Sequence, residues 1–451
     1  MGYIEIKGLF GDRNVSFRFK KPLLILIGEN GIGKSTVLGI INNILNKNLD
    51  GLREYEFDSI TFRISDRTYA LNKDDFNSIV NDWEYQEDFI NKMTRNRVLL
   101  KDLVQETEIP LPRLRRLLNE GEFERILRQR ESLHNKGIST PALDFFFDEL
   151  YSIRDQKHPI INNFFDPIRN YFLGEVLYFP TYRRVEEEAY KLGQGIERGL
   201  EKNIIKFGMH DVQKIFKDIT DLIRKETING VQNVMDNLFT ELVSEKNLET
   251  EYSVVELKNK REDLEIILQR SQDSLPFSMK ETLEKIDVIL EKEVLTDKEQ
   301  FILYFISKYL KIYEASKIHD EKINQFIKVC NSYFEDKFFI YDLKEIQIIL
   351  VSKFDPTKTI ELRSLSSGEK QIVSLFAKLY LSGVNKYVLL FDEPELSLSI
   401  KWQEKLLNNI LETGKCDFMM AVTHSPFIVS KSLKEYTLSF GSTIKRKREF
   451  N

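Results

Sequence analysis

The sequence predicts an α/β protein: a mixed sheet with flanking helices, interrupted by a large α-helical insertion with short coiled-coil character. Three observations carry this. Short continuous apolar runs at Leu23–Ile27, Tyr387–Phe391 and Phe418–Val422 have the length and content of strands buried on both faces. Helix-spaced apolar residues dominate the long stretch between the first and second run. Gly (20) and Pro (11) are about half as frequent as average usage, so long helices with few turns are expected.

In chain order, residues 3–7 and 14–19 alternate apolar and polar, as two strands of a half-buried hairpin do. Residues 23–27 form the first buried strand, and Thr36–Ile41 continue with helical spacing. Residues 59–71 read as a second antiparallel hairpin. Helical periodicity fills 76–172 and 190–335, broken by a strand at 174–180. Within it, Leu257–Leu268 and Leu283–Ile323 suit helical hairpins interrupted near Ser274-Leu275-Pro276. Residues 337–362 return to strands. The expected organisation is a first head lobe at 1–72, helical insertion I at 73–173, a head strand with its following segment at 174–190, helical insertion II at 191–336, and a second head lobe at 337–451.

Composition limits the function classes. The chain has 451 residues, 42% of them hydrophobic and 30% charged, with a net charge of −5, so nucleic acid or acidic lipid would need a local basic patch. Two cysteines, Cys330 and Cys416, provide neither a disulfide framework nor a CxxC zinc pair, which fits a reducing cytoplasm. No N-terminal signal pattern or run of about 18 apolar residues is present, so no membrane association is expected.

The chemistry begins directly after the first buried strand. Gly28-Glu29-Asn30-Gly31-Ile32-Gly33-Lys34-Ser35 matches GxxxxGK[ST], and Thr36 opens the helix. The glycines let successive backbone N–H groups close around phosphate oxygens at a helix N-terminus. Lys34 reaches the β- and γ-phosphates, and Ser35 is placed to ligate Mg²⁺. ATP and Mg²⁺ are the cofactors this pattern calls for. In the C-terminal third, a strand ends in Asp392-Glu393: Asp392 would hold the metal shell, and Glu393 would take a proton from the attacking water as general base. Some 20 residues earlier, Leu365-Ser366-Ser367-Gly368-Glu369-Lys370-Gln371 precedes helix-spaced apolar residues. It reads either as a capping box or as a second anion site at a helix N-terminus. Glu395-Leu396-Ser397-Leu398 follows Asp392-Glu393, and the third apolar strand ends in Thr423-His424-Ser425-Pro426. The other four histidines, His134, His158, His210 and His319, have no such context.

In this order the set resembles the ABC-type ATPase heads of the SMC, RecF and OLD families, and FDEPELSL and THSP are most similar to OLD-like ATPases. The resemblance implies that residues 365–369 are the signature motif, 395–398 the D-loop and His424 the switch histidine near the γ-phosphate. It implies a head-to-head homodimer with two ATP molecules between the heads, so that Ser366, Ser367 and Gly368 act on nucleotide held by the partner. The family's Q-loop glutamine has no counterpart after the strand 174–180, which leads into Thr181-Tyr182-Arg183-Arg184; Arg183 and Arg184 are the candidate replacements, with a solvated turn the other reading.

OLD nucleases carry a Toprim domain after the head, whereas 27 residues follow His424 here, room for a strand pair and a tail. The chain is therefore expected to lack nuclease activity. It resembles the ATPase components of two-gene bacterial anti-phage systems of the PARIS type, and secondarily of the Septu type. That resemblance implies a sensor and scaffold in a larger homo-oligomer such as a hexamer, a separate Toprim-type nuclease effector and a phage-encoded trigger protein. The alternative is a RecF- or SMC-like DNA-repair ATPase; a small-molecule P-loop kinase is opposed by the signature and by His424. Direct nucleic-acid binding stays open: Lys92–Lys136 holds eleven basic and seven acidic residues, and Asp102–Leu118 has a faint helix-turn-helix pattern. A subunit or acidic-partner contact fits that segment better than DNA reading, and a solvated helical face is the plainest reading. Lys445-Arg446-Lys447-Arg448 reads as a solvated tail or a phosphate or partner contact.

Overall fold

The computed structural model describes residues 2–78, 161–180, 209–243, 252–271 and 279–446. The expectations for 92–136, for Arg183 and Arg184, for most of 76–172 and for Lys447 and Arg448 lie outside the described residues.

Two five-stranded sheets build the head. The first joins β1 (Gly2–Leu9), β2 (Arg13–Phe19), β4 (Ser59–Ile64), β5 (Arg67–Asn72) and β12 (Ile444–Arg446) in the order β12-β2-β1-β4-β5, all antiparallel. Both expected hairpins, β1–β2 and β4–β5, lie side by side in it. The second sheet is wholly parallel, in the order β11-β3-β10-β9-β6. It is built from β3 (Leu23–Ile27), β6 (Glu175–Phe179), β9 (Tyr387–Asp392), β10 (Cys416–Thr423) and β11 (Thr437–Ser439). The residues after His424 thus add one short strand to each sheet. Lys445 and Arg446, read from the sequence as part of a tail, are in an edge strand paired with Asn14 and Arg13, their side chains exposed.

The parallel sheet is buried on both faces, which accounts for its unbroken apolar strands. Side-chain alternation divides them. Leu24, Leu26, Val388, Leu390, Met420 and Val422 face a core shared with the antiparallel sheet and helix α1 (Lys34–Leu45). Leu23, Ile25, Leu389, Phe391, Met419 and Ala421 face the opposite core. Helices α9 (Ser367–Leu381) and α10 (Ile400–Glu412) close that second core. So do the head-proximal parts of two 35-residue helices, α4 (Met209–Val243) and α8 (Asp297–Asn331), through Phe216, Ile219, Ile223, Ile323 and Phe326.

Farther along the same two helices, α5 (Val254–Asn259), α6 (Arg261–Arg270) and α7 (Met279–Leu290) form a separate helical core with Leu257, Leu264, Ile286, Leu303 and Tyr309. The start signals are those expected of such helices: Thr296 and Ser253 each make a full capping box with the Glu three residues on. The arm meets the head at a buried ion pair. Arg270 Nη2 lies 2.9 Å from Asp320 Oδ1, Arg270 Nε donates to Leu343 O, and Tyr341 Oη donates to Asp320. Leu343 follows β7 (Lys337–Asp342), which pairs with β8 (Gln347–Ser352) as an antiparallel hairpin within the stretch expected to return to strands. Two short helices, α2 (Leu49–Arg53) and α3 (Asp166–Tyr171), also pack on the core shared with the antiparallel sheet.

Candidate functional site

Adjacent parallel strands end together, and the sequence places a chemically distinct group after each. The phosphate-loop sequence follows β3, His424 follows β10, and Asp392-Glu393 terminates β9; β3 and β9 flank β10. Positions separated by more than 350 residues in the chain thereby share one carboxyl edge, the usual ligand side of a parallel sheet.

The loop 28–33 bends through two left-handed glycines, Gly31 (φ +75°) and Gly33 (φ +105°), conformations that a Cβ disfavours. A side chain on Gly33 would also sit 3.1 Å from the Phe10 ring. Gly33 precedes α1 without any side-chain cap, and the first turn of α1 carries no acidic residue. Its first-turn N–H groups are thus left to an outside anion, with the positive end of the helix dipole behind them. Gly28 N donates to Thr423 O, tying the loop to the end of β10.

Lys34 is buried, and its Nζ donates to Gly28 O (2.7 Å) and Glu29 O (2.8 Å), arching over the loop. The same Nζ is 2.9 Å from His424 Nε2. Burial pushes the Lys34 ammonium below its ordinary pKa, while Glu393, Asp392 and Glu395 act in the opposite direction. Ser35 Oγ donates to Asp392 Oδ1 at 2.7 Å, so the two expected metal-holding side chains already converge. Their hard oxygen donors fit Mg²⁺, which keeps most of its shell as water and phosphate and takes one or two protein ligands. Among the described residues there is no group of three or more His, Cys, Asp or Glu able to hold an ion.

Glu393 adopts φ +53°, unusual for a residue with a Cβ, and its N–H donates to Val422 O. The turn brings its carboxylate within 3.0 Å of His424 Nε2. Strain of this kind costs on the order of 1–3 kcal/mol and persists where the surroundings fix it. Beside Glu393 lies a cavity of 160 Å³, bounded by Phe179, Pro180, Ser367, Gln371, Asp392 and Glu393. It is too small for a nucleotide, whose pockets run to several hundred Å³.

The signature residues stand apart from this cluster. Ser366 caps α9, its Oγ accepting from Glu369 N while Glu369 Oε2 accepts from Ser366 N and Oγ, so the capping box is formed. Ser366 and Ser367 are exposed, and no hydrogen bond joins them or Gly368 to residues 28–36. Gly368 is fixed by packing: a Cβ there would lie 2.4 Å from Ser397 O. Glu369 also takes Lys337 Nζ at 3.0 Å, connecting α9 to β7 beyond the arm.

Sequence reasoning brought together Gly28, Glu29, Asn30, Gly31, Ile32, Gly33, Lys34, Ser35, Thr36, Asp392, Glu393 and His424, and the fold gathers them on one sheet edge. It missed the role of Glu395 and Gln403. Glu395 Oε1 accepts from His424 N, and Gln403 Oε1 accepts from Ser425 Oγ. Only tertiary contact reveals these links, because nothing in local spacing pairs 395 with 424.

Comparison with known proteins agrees with this geometry. The AAA ATPase domain family matches residues 3–429. Among solved structures, the Smc head domain with an extended coiled coil from Pyrococcus furiosus, bound to the C-terminal domain of ScpA, aligns with 12% identity and a TM-score of 0.33. That alignment covers 95% of this chain and 91% of that one. A second SmcHead structure, bound to the C-winged helix domain of ScpA, gives 11% identity, a TM-score of 0.31 and coverage of 94% and 90%. No curated protein matches the sequence. With the phosphate loop, the carboxylate pair and the terminal histidine on one sheet edge, and the family match spanning nearly the whole length, the chain belongs to the AAA ATPase domain family.

Proposed function

We propose that the protein is a Mg²⁺-dependent ATPase that works as a head-to-head homodimer within a larger homo-oligomer, switching between ATP-bound and released states. The observation that carries this is the gathering, at one sheet edge, of two hydrogen-bonded sets: Lys34, His424 and Glu393 in one, Ser35 and Asp392 in the other. Lys34 leaves Gly28 O and Glu29 O to meet the β- and γ-phosphates, and the uncapped turn of α1 receives phosphate oxygens. Ser35 and Asp392 hold Mg²⁺, which when bound neutralises charge on the phosphate oxygens. Glu393 takes the proton of the attacking water as its oxygen bonds to the γ-phosphorus and the bond to the β–γ bridging oxygen breaks. His424 hydrogen-bonds the γ-phosphoryl oxygens. Ser366, Ser367 and Gly368 complete the site from the partner head, an assignment supported by the exposure of both serines and their separation from their own loop.

In this reading the ATPase is the sensor and scaffold of a bacterial anti-phage system. It holds a separate Toprim-type nuclease and responds to a phage trigger protein. The resemblance of FDEPELSL and THSP to OLD-like ATPases supports it, and the net charge of −5 speaks against a DNA-repair role. Among the described residues no helix is long and apolar enough to cross a membrane. Purified protein should hydrolyse ATP only with Mg²⁺ and form ATP-dependent dimers. Co-purification with the products of neighbouring genes, followed by mass measurement, tests the partner. ATP hydrolysis stimulated by duplex DNA, with no nuclease partner recovered, would overturn the defence reading.

A further inference from the structure

Glu395 is a buried carboxylate, 8% exposed, two residues beyond the general base. One of its oxygens does all the visible work. Oε1 accepts from Thr423 Oγ1 (2.6 Å), His424 N (2.8 Å) and Ser425 N (3.0 Å), while Oε2 has no hydrogen-bond partner. The turn after β10 thus presents two successive N–H groups as a small anion nest, filled from within the chain. A second clamp holds the same turn: Gln403 Nε2 donates to Leu398 O, and Gln403 Oε1 accepts from Ser425 Oγ. On its other side the Pro394–Ser397 segment is gripped by α9, where Gln371 Nε2 donates to Pro394 O and Gly368 lies so close to Ser397 O that no Cβ fits. An unbroken series of contacts therefore runs from the signature helix through residues 394–397 to the backbone of His424.

We propose that Glu395 is a positioning residue for ATP hydrolysis: its carboxylate fixes the backbone of His424, so that movement of the signature helix α9 resets the histidine beside Glu393. The inference rests on the ATPase reading above. Its chemistry follows from what the carboxylate replaces. Without it, His424 N loses its acceptor, Ser425 N keeps only Thr423 Oγ1 and Thr423 Oγ1 only the longer contact to Ser425 O, and the turn relaxes toward water. His424 Nε2, now 3.0 Å from Glu393 and 2.9 Å from Lys34, would move with it. Misplacement of about 1 Å at a reacting centre costs on the order of 100-fold in rate. Nucleotide binding should change less than turnover, because Glu395 makes no hydrogen bond to residues 28–36 and reaches Lys34 through its charge alone.

The experiment compares wild type, Glu395→Ala, Glu395→Gln and Gln403→Leu by steady-state hydrolysis of Mg-ATP, with thermal denaturation as the measure of folding. Glu395→Ala should lower kcat by about 10- to 100-fold and leave KM within about threefold. Glu395→Gln, which keeps an oxygen where Oε1 stands and puts its amide where Oε2 has no partner, should recover kcat to within about fivefold of wild type. Gln403→Leu should fall between. A purely structural role would lower Tm and the active fraction in all three without this kcat order. Wild-type kcat in folded Glu395→Ala overturns the proposal, as does a fall in kcat for Glu395→Gln equal to that for Glu395→Ala. If Glu395→Ala does not fold, the Gln403→Leu and Glu395→Gln values decide. Failure of the ATPase reading looks different: wild type itself would then turn over no more ATP than Lys34→Ala.

Discussion

Replacing Glu393 by Gln separates binding from chemistry more cleanly than any other single change at the site. The amide matches the carboxylate in size, can still accept from His424 Nε2 at the present 3.0 Å, and leaves the backbone bond from Glu393 N to Val422 O untouched. Only proton acceptance is lost. General-base catalysis contributes about 10²–10⁴-fold, which corresponds to about 2.7–5.4 kcal/mol in the barrier. Steady-state phosphate release should fall by that factor while ATP affinity stays within about threefold of wild type. In the proposed cycle, where hydrolysis resets the dimer, Glu393→Gln should accumulate as an ATP-bound dimer detectable by light scattering. Phosphate release at the wild-type rate from the folded variant would refute the assignment of Glu393 as the base.

Lys34→Ala removes the side chain that bridges Gly28 O, Glu29 O and His424, and should weaken ATP binding by at least about 100-fold and abolish the ATP-dependent dimer, as read by calorimetry and light scattering. Arg270→Ala leaves Asp320 buried without its counter-charge and should cost about 3–5 kcal/mol in denaturant unfolding, whereas Arg270→Met with Asp320→Leu should recover most of that loss. Gly174→Ala forces a Cβ to within 2.1 Å of Lys386 O at φ +110°, so β6 should lose its pairing at the sheet edge and Tm should drop by several degrees. Burial pushes Tyr309, Tyr313 and Tyr387 up to about 12. Their folded pKa exceeds the unfolded value of about 10, so the stability they contribute is intact below pH 10 and is lost as pH rises from about 10 to about 12. Tyrosinate absorbance and the loss of helical circular dichroism should therefore rise together in an alkaline titration.

The legible part of this protein was the part whose chemistry demands local sequence. Gly28–Ser35 and Asp392-Glu393 can be read because phosphate and metal binding require fixed residue types at fixed spacing, and Leu23–Ile27 or Phe418–Val422 because a strand buried on both faces admits little else. Partnerships between segments were not legible. The apolar stripe of α8 announces a helix but not that Ile323 and Phe326 face the head core while Leu303 and Tyr309 face the arm core. Lys445 and Arg446 look like a solvated tail because an edge strand exposes its side chains just as a tail does; the backbone pairing with β2 leaves no mark in residue type. The resemblance places Glu395 in the D-loop stretch 395–398 but not its partners, since these are two amide groups near the end of another strand.

The two 35-residue helices that share the head core would turn a small shift at the proposed nucleotide site into a larger one along the arm. A helix of that length spans roughly 50 Å. Its head-proximal end is set in the same apolar core as the signature helix, so a tilt of about 5° of that core would carry the far end of α8 through about 4–5 Å. The buried Arg270–Asp320 pair ties α6 to α8. Geometry alone therefore gives the arm a mechanical gain, by which an ångström-scale rearrangement around a phosphate group becomes a displacement wide enough to open or close a contact between separate chains.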